Sequence, residues 1–112
     1  MKSEIKDGVL IITVEENMIG TITGTPIMNA INSALESGTK KVVISLIGAT
    51  ITDSTGLGIL LSSTSKIANA GGELVLCHVP EQTKKLFIMT KLGNTFHQQT
   101  DLNAALIYLA AK

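Results

Sequence analysis

The chain has 112 residues, of which 45% are hydrophobic and 3% aromatic, enough for one domain with an aliphatic core. Nine lysines balance nine acidic residues and there is no arginine, which argues against a nucleic-acid-binding protein, because such proteins need a basic face. A single cysteine excludes an internal disulfide, and neither a membrane-spanning run nor a signal-peptide apolar region is present. We therefore expect one soluble, cytoplasmic domain over residues 1–112 that does not bind membranes.

The first third of the chain predicts two strands and a helix. Residues 8–15 are rich in β-branched side chains and predict a strand. A polar turn follows, and residues 18–23 predict a second strand, expected to be antiparallel to the first because the connection is short. The helix begins near Gly24, with Thr25 as its N-cap and Pro26 at its first position, and Gly38 ends it. Its apolar face consists of Ile27, Ala30, Ile31, Ala34 and Leu35.

The remaining segments alternate between strands and helices. Strands are predicted over 42–47 and 73–79, with a helix over 55–69 between them, so the two strands pair in parallel through a right-handed crossover. A third helix starts at Pro80 and Glu81, residues 95–98 form a short edge strand, and Asp101 caps a final helix. The buried stripe of that helix is Leu102, Ala105, Leu106 and Leu109. This order predicts an α/β fold: a mixed sheet of four to five strands packed against about four helices.

Two hydroxyls and a carboxylate lie where the central strand is followed by a helix, in the turn Asp53-Ser54-Thr55-Gly56-Leu57-Gly58. Unpaired N–H groups in the first turn of a helix are satisfied by an Asp or Ser N-cap, and they also favour an added anion such as phosphate. Ser54 is therefore either part of a cap or a group that receives a negative charge. Gly56 and Gly58 carry no side chains, which allows another surface to approach the backbone closely.

The run from Val42 to Gly72 resembles the STAS domain (sulphate transporter and anti-sigma factor antagonist). It contains an apolar strand, the D-S-T-G-L-G turn, a helix and a G-G strand entry, as that family does. The resemblance implies an anti-sigma factor antagonist of a bacterial partner-switching system that regulates transcription. Its unphosphorylated form binds an anti-sigma factor that is also a serine kinase. The kinase uses ATP and Mg²⁺ to phosphorylate Ser54, and a serine phosphatase reverses the reaction.

In this interpretation Ser54 is a substrate and the chain is neither an enzyme nor a cofactor-binding protein. The resemblance implies that the partner contacts Asp53, Ser54, Thr55, Gly56, Leu57, Gly58 and Thr23, and that the chain is a monomer or weak dimer. Two positions depart from the family pattern. Thr23 and Ser45 stand where many relatives carry acids. Because these two acids are absent, two variants of this interpretation stay open. The chain either binds a divergent partner or is a scaffold in which phosphorylation matters less.

The sequence offers little for other classes of function. His78 is distant in sequence from His97, and Cys77 points to the other face of its strand, so no metal site is predicted. Thr52 stands where a hydrolase nucleophile elbow needs glycine, and the glycines match no phosphate loop. Two STAS-type alternatives remain: a subunit of a lipid-transport ABC system that binds the ATPase, and a small-molecule-binding or enzymatic domain.

Two further groups of side chains are candidates for surface contacts. Lys84, Lys85 and Lys91 form a modest positive patch, for which a solvated helix face is the default interpretation. An apolar group near the start of the chain consists of Met18, Ile19, Ile22, Ile27 and Met28. We expect most of this group in the core, with one or two exposed members forming a contact patch beside the 53–58 turn.

Overall fold

The computed structural model describes residues 1–19 and 24–112, and within them it contains five strands and four helices. The strands are β1 (Lys2–Lys6), β2 (Val9–Thr13), β3 (Lys41–Ser45), β4 (Glu73–Cys77) and β5 (His97–Gln99). The helices are α1 (Gly24–Glu36), α2 (Ser54–Asn69), α3 (Glu81–Met89) and α4 (Leu102–Ala110). This confirms the predicted α/β fold with a mixed sheet and four helices. Among the described residues, every helix is too short or too polar to span a lipid bilayer.

The sheet has the order β1-β2-β3-β4-β5, with β1 antiparallel to β2 and every other neighbouring pair parallel. Each crossover, through α1, α2 and α3 in turn, advances by one strand in the same direction. Right-handed crossovers of that kind place all three helices on one face of the sheet. The main buried cluster accordingly joins alternate strand residues to these helices; it includes Leu10, Ile12, Val42, Ile44, Leu74, Leu76, Ile31, Leu60, Ile67 and Phe87.

The opposite face of the sheet is covered by α4. This smaller cluster is formed by the other set of alternating strand residues, Val9, Ile11, Val43, Val75 and Cys77, together with Ala105 and Leu109 of α4. Leu102 and Leu106 are half-buried against it, so the predicted stripe of α4 faces the sheet. Because β3 and β4 are covered on both faces, their sequences are apolar almost throughout.

The first strand is a correction to the sequence-based prediction. Asp7 and Gly8 have positive φ angles of 53° and 78°, as a tight hairpin turn requires, and they join β1 to β2 in antiparallel register. The two neighbours of β2 are therefore β1 and β3. The prediction that residues 18–23 form the antiparallel partner of β2 was wrong. Met18 makes one isolated parallel bridge to Thr52, and residues 20–23 lie outside the described residues.

Several element ends differ from those predicted. Helix α1 begins at Gly24, so Thr25 and Pro26 lie within its first turn instead of at the N-cap and first position. Gly38 has a φ of 87°, which is the left-handed conformation expected after a helix end. β3 and β4 are each two residues shorter at their C-terminal ends than predicted, and β5 begins two residues later, at His97.

Cys77 is fully buried in the α4-side cluster. Burial raises the pKa of its thiol, a hydrogen bond with Ser45 lowers the pKa in part, and the charge of Asp101 raises it further. The folded protein therefore favours the protonated thiol more than the unfolded chain does. The resulting contribution to the free energy of unfolding is complete below the pKa of the unfolded cysteine, and it is lost as the pH rises through the pKa of the folded cysteine.

We therefore expect the wild type to lose free energy of unfolding at alkaline pH more steeply than Cys77→Ala does. Urea unfolding at about pH 8 and about pH 10 measures this difference. The native thiol should also react with a thiol-specific dye far more slowly than the urea-unfolded thiol. Equal pH slopes together with rapid native labelling would contradict this prediction.

Candidate functional site

The N-terminus of α2 is built around Asp53. This residue has extended backbone angles (φ −93°, ψ −176°), and its Oδ1 accepts a hydrogen bond from the backbone N–H of Gly56 at 2.8 Å. Its carbonyl oxygen accepts the N–H of Leu57 at 2.9 Å. Asp53 is thus the N-cap, and Ser54 is the first residue of the helix, with an exposed side chain. The Asp53 carboxylate therefore makes the cap hydrogen bond, and the residue directly after it, Ser54, is exposed to solvent.

One side of the segment before α2 is held by Asn17 and Met18. The N–H of Met18 donates to the carbonyl of Ile51 at 2.9 Å, and the N–H of Asp53 donates to the carbonyl of Met18 at 3.1 Å. Oδ1 of Asn17 accepts from the Thr50 hydroxyl at 3.0 Å and from the N–H of Ile51 at 3.1 Å. This pairing acts as a short extra ladder beyond the sheet and fixes the path into the Ser54 turn.

The other side of the same segment is held by the first turn of α3. Oε1 of Gln82 accepts the N–H of Thr52 at 2.9 Å, and Nε2 of Gln82 donates to the carbonyl of Thr52 at 3.2 Å. We call this pair of bonds the Gln82 clamp. Beneath it, the buried Thr83 hydroxyl donates to the buried Thr52 hydroxyl at 3.1 Å. The sequence did not indicate a role for Gln82 or Thr83 at this site, because no local signal links α3 to a position thirty residues earlier.

Loss of the Gln82 clamp should loosen the Ser54 turn. We expect Gln82→Ala to lower the free energy of unfolding by about 1–2 kcal/mol, because two hydrogen bonds to the Thr52 backbone are lost. Amide hydrogen exchange at Thr52 should accelerate. The exposed neighbour Glu81→Gln serves as the control: it alters the same turn of α3 without touching the clamp, so it should leave amide exchange at Thr52 unchanged. Unaltered exchange at Thr52 in Gln82→Ala would show that the clamp does not hold the segment.

The two glycines of the turn have different environments. Gly56 is buried, and a Cβ there would lie 2.3 Å from the carbonyl oxygen of Met18 and 2.9 Å from the Met18 Cβ. A Cβ at Gly58 would meet nothing within 4 Å. The structure therefore gives Gly56 an internal packing reason, distinct from the predicted approach of a partner, whereas Gly58 borders open space.

The remaining predicted site residues also divide into buried and accessible ones. Leu57 is 6% exposed and belongs to the main core. Thr55 is exposed beside Ser54, and Asp53 is half-buried. Thr23 lies outside the described residues. The accessible part of the turn thus consists of Asp53, Ser54, Thr55 and Gly58.

Two exposed isoleucines flank this turn. Met18 and Thr52 form the isolated parallel bridge and both point inward, so the adjacent Ile19 and Ile51 point outward. They are 49% and 47% exposed. Within the predicted apolar group, Met18 and Ile27 are fully buried, Met28 is half-buried and Ile19 is the exposed member; Ile22 lies outside the described residues. Ile51 is an addition that the sequence did not indicate.

Ser45, one of the two positions that depart from the family pattern, is buried at the end of β3. It is the register partner of Cys77, which lies on the side of the sheet that α4 covers. Helix α2 packs on the other side. In the described part of the chain, no three His, Cys, Asp or Glu side chains are grouped so that they could hold a metal ion.

Comparison with known proteins places this arrangement in context. A family model described as the STAS domain matches residues 1–105. A putative anti-sigma factor antagonist from Thermotoga maritima has a TM-score of 0.86 at 18% identity, covering 97% of this chain and 93% of that one. An anti-sigma factor antagonist from Mycobacterium paratuberculosis has a TM-score of 0.79 at 25% identity, covering 97% and 92%. Phosphorylated SpoIIAA, a Bacillus cell fate determinant, has a TM-score of 0.73 at 18% identity, covering 96% and 97%.

Proposed function

The chain belongs to the STAS domain family, and from that premise we propose that it is an anti-sigma factor antagonist of a partner-switching system. In this proposal the unphosphorylated protein binds an anti-sigma factor that is also a serine kinase. Phosphorylation of Ser54 releases the partner, and a serine phosphatase restores binding. The chain acts as a binding module in the cytoplasm, as a monomer or weak dimer, and it catalyses no reaction.

The observation that carries the proposal is the exposed Ser54 side chain on a fixed support. A kinase must reach the hydroxyl, and Ser54 is exposed at the first position of α2. A switch must also change a surface without unfolding the protein. The Asp53 cap, the Met18 pairing and the Gln82 clamp hold the backbone on either side of Ser54. None of these contacts uses the Ser54 hydroxyl, so a phosphate there leaves them in place.

The charge of the phosphate explains why partner binding and folding respond differently. A phosphoserine carries about −1.5 to −2 charges at neutral pH. In the free protein this charge is hydrated, and the helix N-terminus favours it by about 0.3–1 kcal/mol, partly offset by the Asp53 carboxylate. Against a partner with no cation opposite, the same charge must lose its water, at a cost of several kcal/mol. Binding is therefore lost while the fold persists.

The contact surface in this proposal is centred on Ser54. Thr55 and Gly58 supply the rest of its accessible turn, and Ile19 and Ile51 supply apolar area beside it. Asp53 shapes the turn, and Gly56 and Leu57 support it from inside. Thr23 stays in the proposed contact set on the strength of the family resemblance.

The proposal is tested in cells that produce the protein naturally. Wild-type and Ser54→Ala forms are tagged and captured, and phosphopeptides and bound proteins are identified together by mass spectrometry. Phosphate on Ser54 of the wild type, with a kinase-like anti-sigma factor retained more strongly by Ser54→Ala, supports partner switching. An unmodified Ser54 bound to an ATP-binding cassette ATPase would instead favour the transporter-subunit alternative.

A further inference from the structure

Helix α3 presents an outer face of unusual composition. Its inner side is fixed by buried Thr83 and by Phe87, whose ring stacks on Phe96 with centroids 4.6 Å apart. Its outer side carries Ile88 and Met89, which are 72% and 79% exposed. Among the described residues these are the two most exposed of the large apolar side chains. Together they form a small apolar patch on one helix, which a partner surface can cover.

The same outer face is basic. Lys84 and Lys85 are exposed beside Ile88 and Met89, and Lys91 follows directly after the helix. Between Glu81 and Asp101 the sequence has no acidic residue. In the described ranges, none of these three lysines forms an ion pair with a carboxylate. The α3 outer face, defined as Lys84, Lys85, Ile88, Met89 and Lys91, therefore complements an acidic surface with an apolar centre.

The α3 outer face is also continuous with the Ser54 turn. The Gln82 clamp attaches the first turn of α3 to Thr52, two residues before Ser54. From Gln82 to Met89 the helix rises only about 10 Å. A standard protein interface buries about 800 Å² on each partner, a patch roughly 30 Å across. A protein of ordinary interface size that covers Ser54 and extends toward the clamped end of α3 is therefore large enough to cover the α3 outer face as well.

We propose that the α3 outer face is a second contact surface for the anti-sigma factor kinase, and that it binds an acidic patch with an apolar centre on that protein. This inference rests on the proposed function and names the chemistry of its partner. Ile88 and Met89 enter the apolar centre, and the lysines pair with carboxylates around it. A protein partner is favoured over an anionic membrane because α3 has nine residues and offers two exposed apolar side chains, too few for stable membrane insertion.

The lysines and the apolar pair should contribute to binding in different ways. Charges around an interface mainly accelerate association and make it sensitive to salt, whereas buried apolar anchors mainly slow dissociation. We expect Lys84→Glu/Lys85→Glu to lower the association rate about tenfold at low salt, with a smaller effect at high salt. We expect Ile88→Ser/Met89→Ser to raise the dissociation rate by about tenfold or more.

The experiment uses the purified kinase that Ser54→Ala captures, with binding rates measured on a biosensor at low and high salt. The matched control is Lys6→Glu/Lys66→Glu, which makes the same change in net charge at exposed positions away from α3. All these sites are exposed, so circular dichroism should show intact folds. The proposal predicts a loss of affinity for both α3 variants and none for the control.

The outcomes separate this inference from the proposed function. If Ser54→Asp abolishes binding and both α3 variants bind like the control, the α3 inference is wrong and the switch stands. If the wild type binds phosphatidylserine vesicles through Lys84 and Lys85 while kinase binding is unaffected by them, the face is a membrane surface and the inference is overturned. If Ser54→Ala captures no kinase, both the inference and the proposed function fail.

Discussion

Ser54→Asp is expected to weaken binding of the anti-sigma factor kinase by about a thousandfold or more, equivalent to about 4 kcal/mol, without loss of the fold. The aspartate places an unpaired charge at the centre of a surface that must lose its water on binding. Within the protein the side chain stays exposed at the start of α2, where the helix dipole tolerates an anion. Titration calorimetry measures the affinity, and circular dichroism with thermal unfolding measures the fold.

Two control variants distinguish this effect from general repulsion or loss of the hydroxyl. Ser65→Asp adds the same charge on an exposed position about three turns further along α2 and should bind like the wild type. Ser54→Ala removes the hydroxyl without adding charge and should also bind. An unfolded Ser54→Asp protein would contradict the account of a fixed support, and full binding by that variant would contradict the switch.

Gly56→Ala and Gly58→Ala should have opposite effects on stability, although both add one methyl group to the same helix. At Gly56 the new Cβ would lie 2.3 Å from the Met18 carbonyl, so either α2 or the Met18 segment must shift. We expect the free energy of unfolding to fall by about 1–3 kcal/mol. At Gly58 the methyl enters open space, and the higher helix propensity of alanine should raise the free energy of unfolding by up to about 1 kcal/mol.

Equilibrium urea unfolding of the two variants side by side tests this pair of predictions. Partner affinity adds a second, independent result. Gly58→Ala places a methyl group on the proposed contact surface, so affinity should fall although stability rises. Equal stabilities of the two variants would refute the packing reason given to Gly56. Unchanged affinity in Gly58→Ala would place that position outside the contact.

The local parts of the site could be predicted from the sequence because short-range rules govern them. An Asp directly before an apolar-periodic segment predicts an N-cap, and Asp53 makes that hydrogen bond. The continuous apolar run after Lys41 predicts a strand covered on both faces, and β3 is such a strand. The supports of the turn could not be predicted in this way. The Gln82 clamp joins residues thirty positions apart, and only the packing of α3 against the β3–α2 connection brings them together.

The error at the N-terminus has a related cause. Edge strand β1 is exposed throughout, so its sequence, Lys2-Ser3-Glu4-Ile5-Lys6, lacks the apolar alternation that identifies a half-buried strand. The Asp7-Gly8 dipeptide is a hairpin signal, and it identifies β1 as the antiparallel neighbour of β2. Gly56 illustrates a further limit. The Met18 carbonyl leaves no room for a side chain at position 56. From the sequence alone, a glycine needed for this internal packing cannot be told from one needed for the approach of a partner.

The central claim is that phosphate on Ser54 and bound partner exclude each other. The most direct measurement separates native cell extract by size into free and partner-bound pools and quantifies Ser54 phosphorylation in each by mass spectrometry. We expect the free pool to be enriched in phosphorylated Ser54 and the bound pool to be almost entirely unphosphorylated. Equal phosphorylation of Ser54 in the two pools would contradict it.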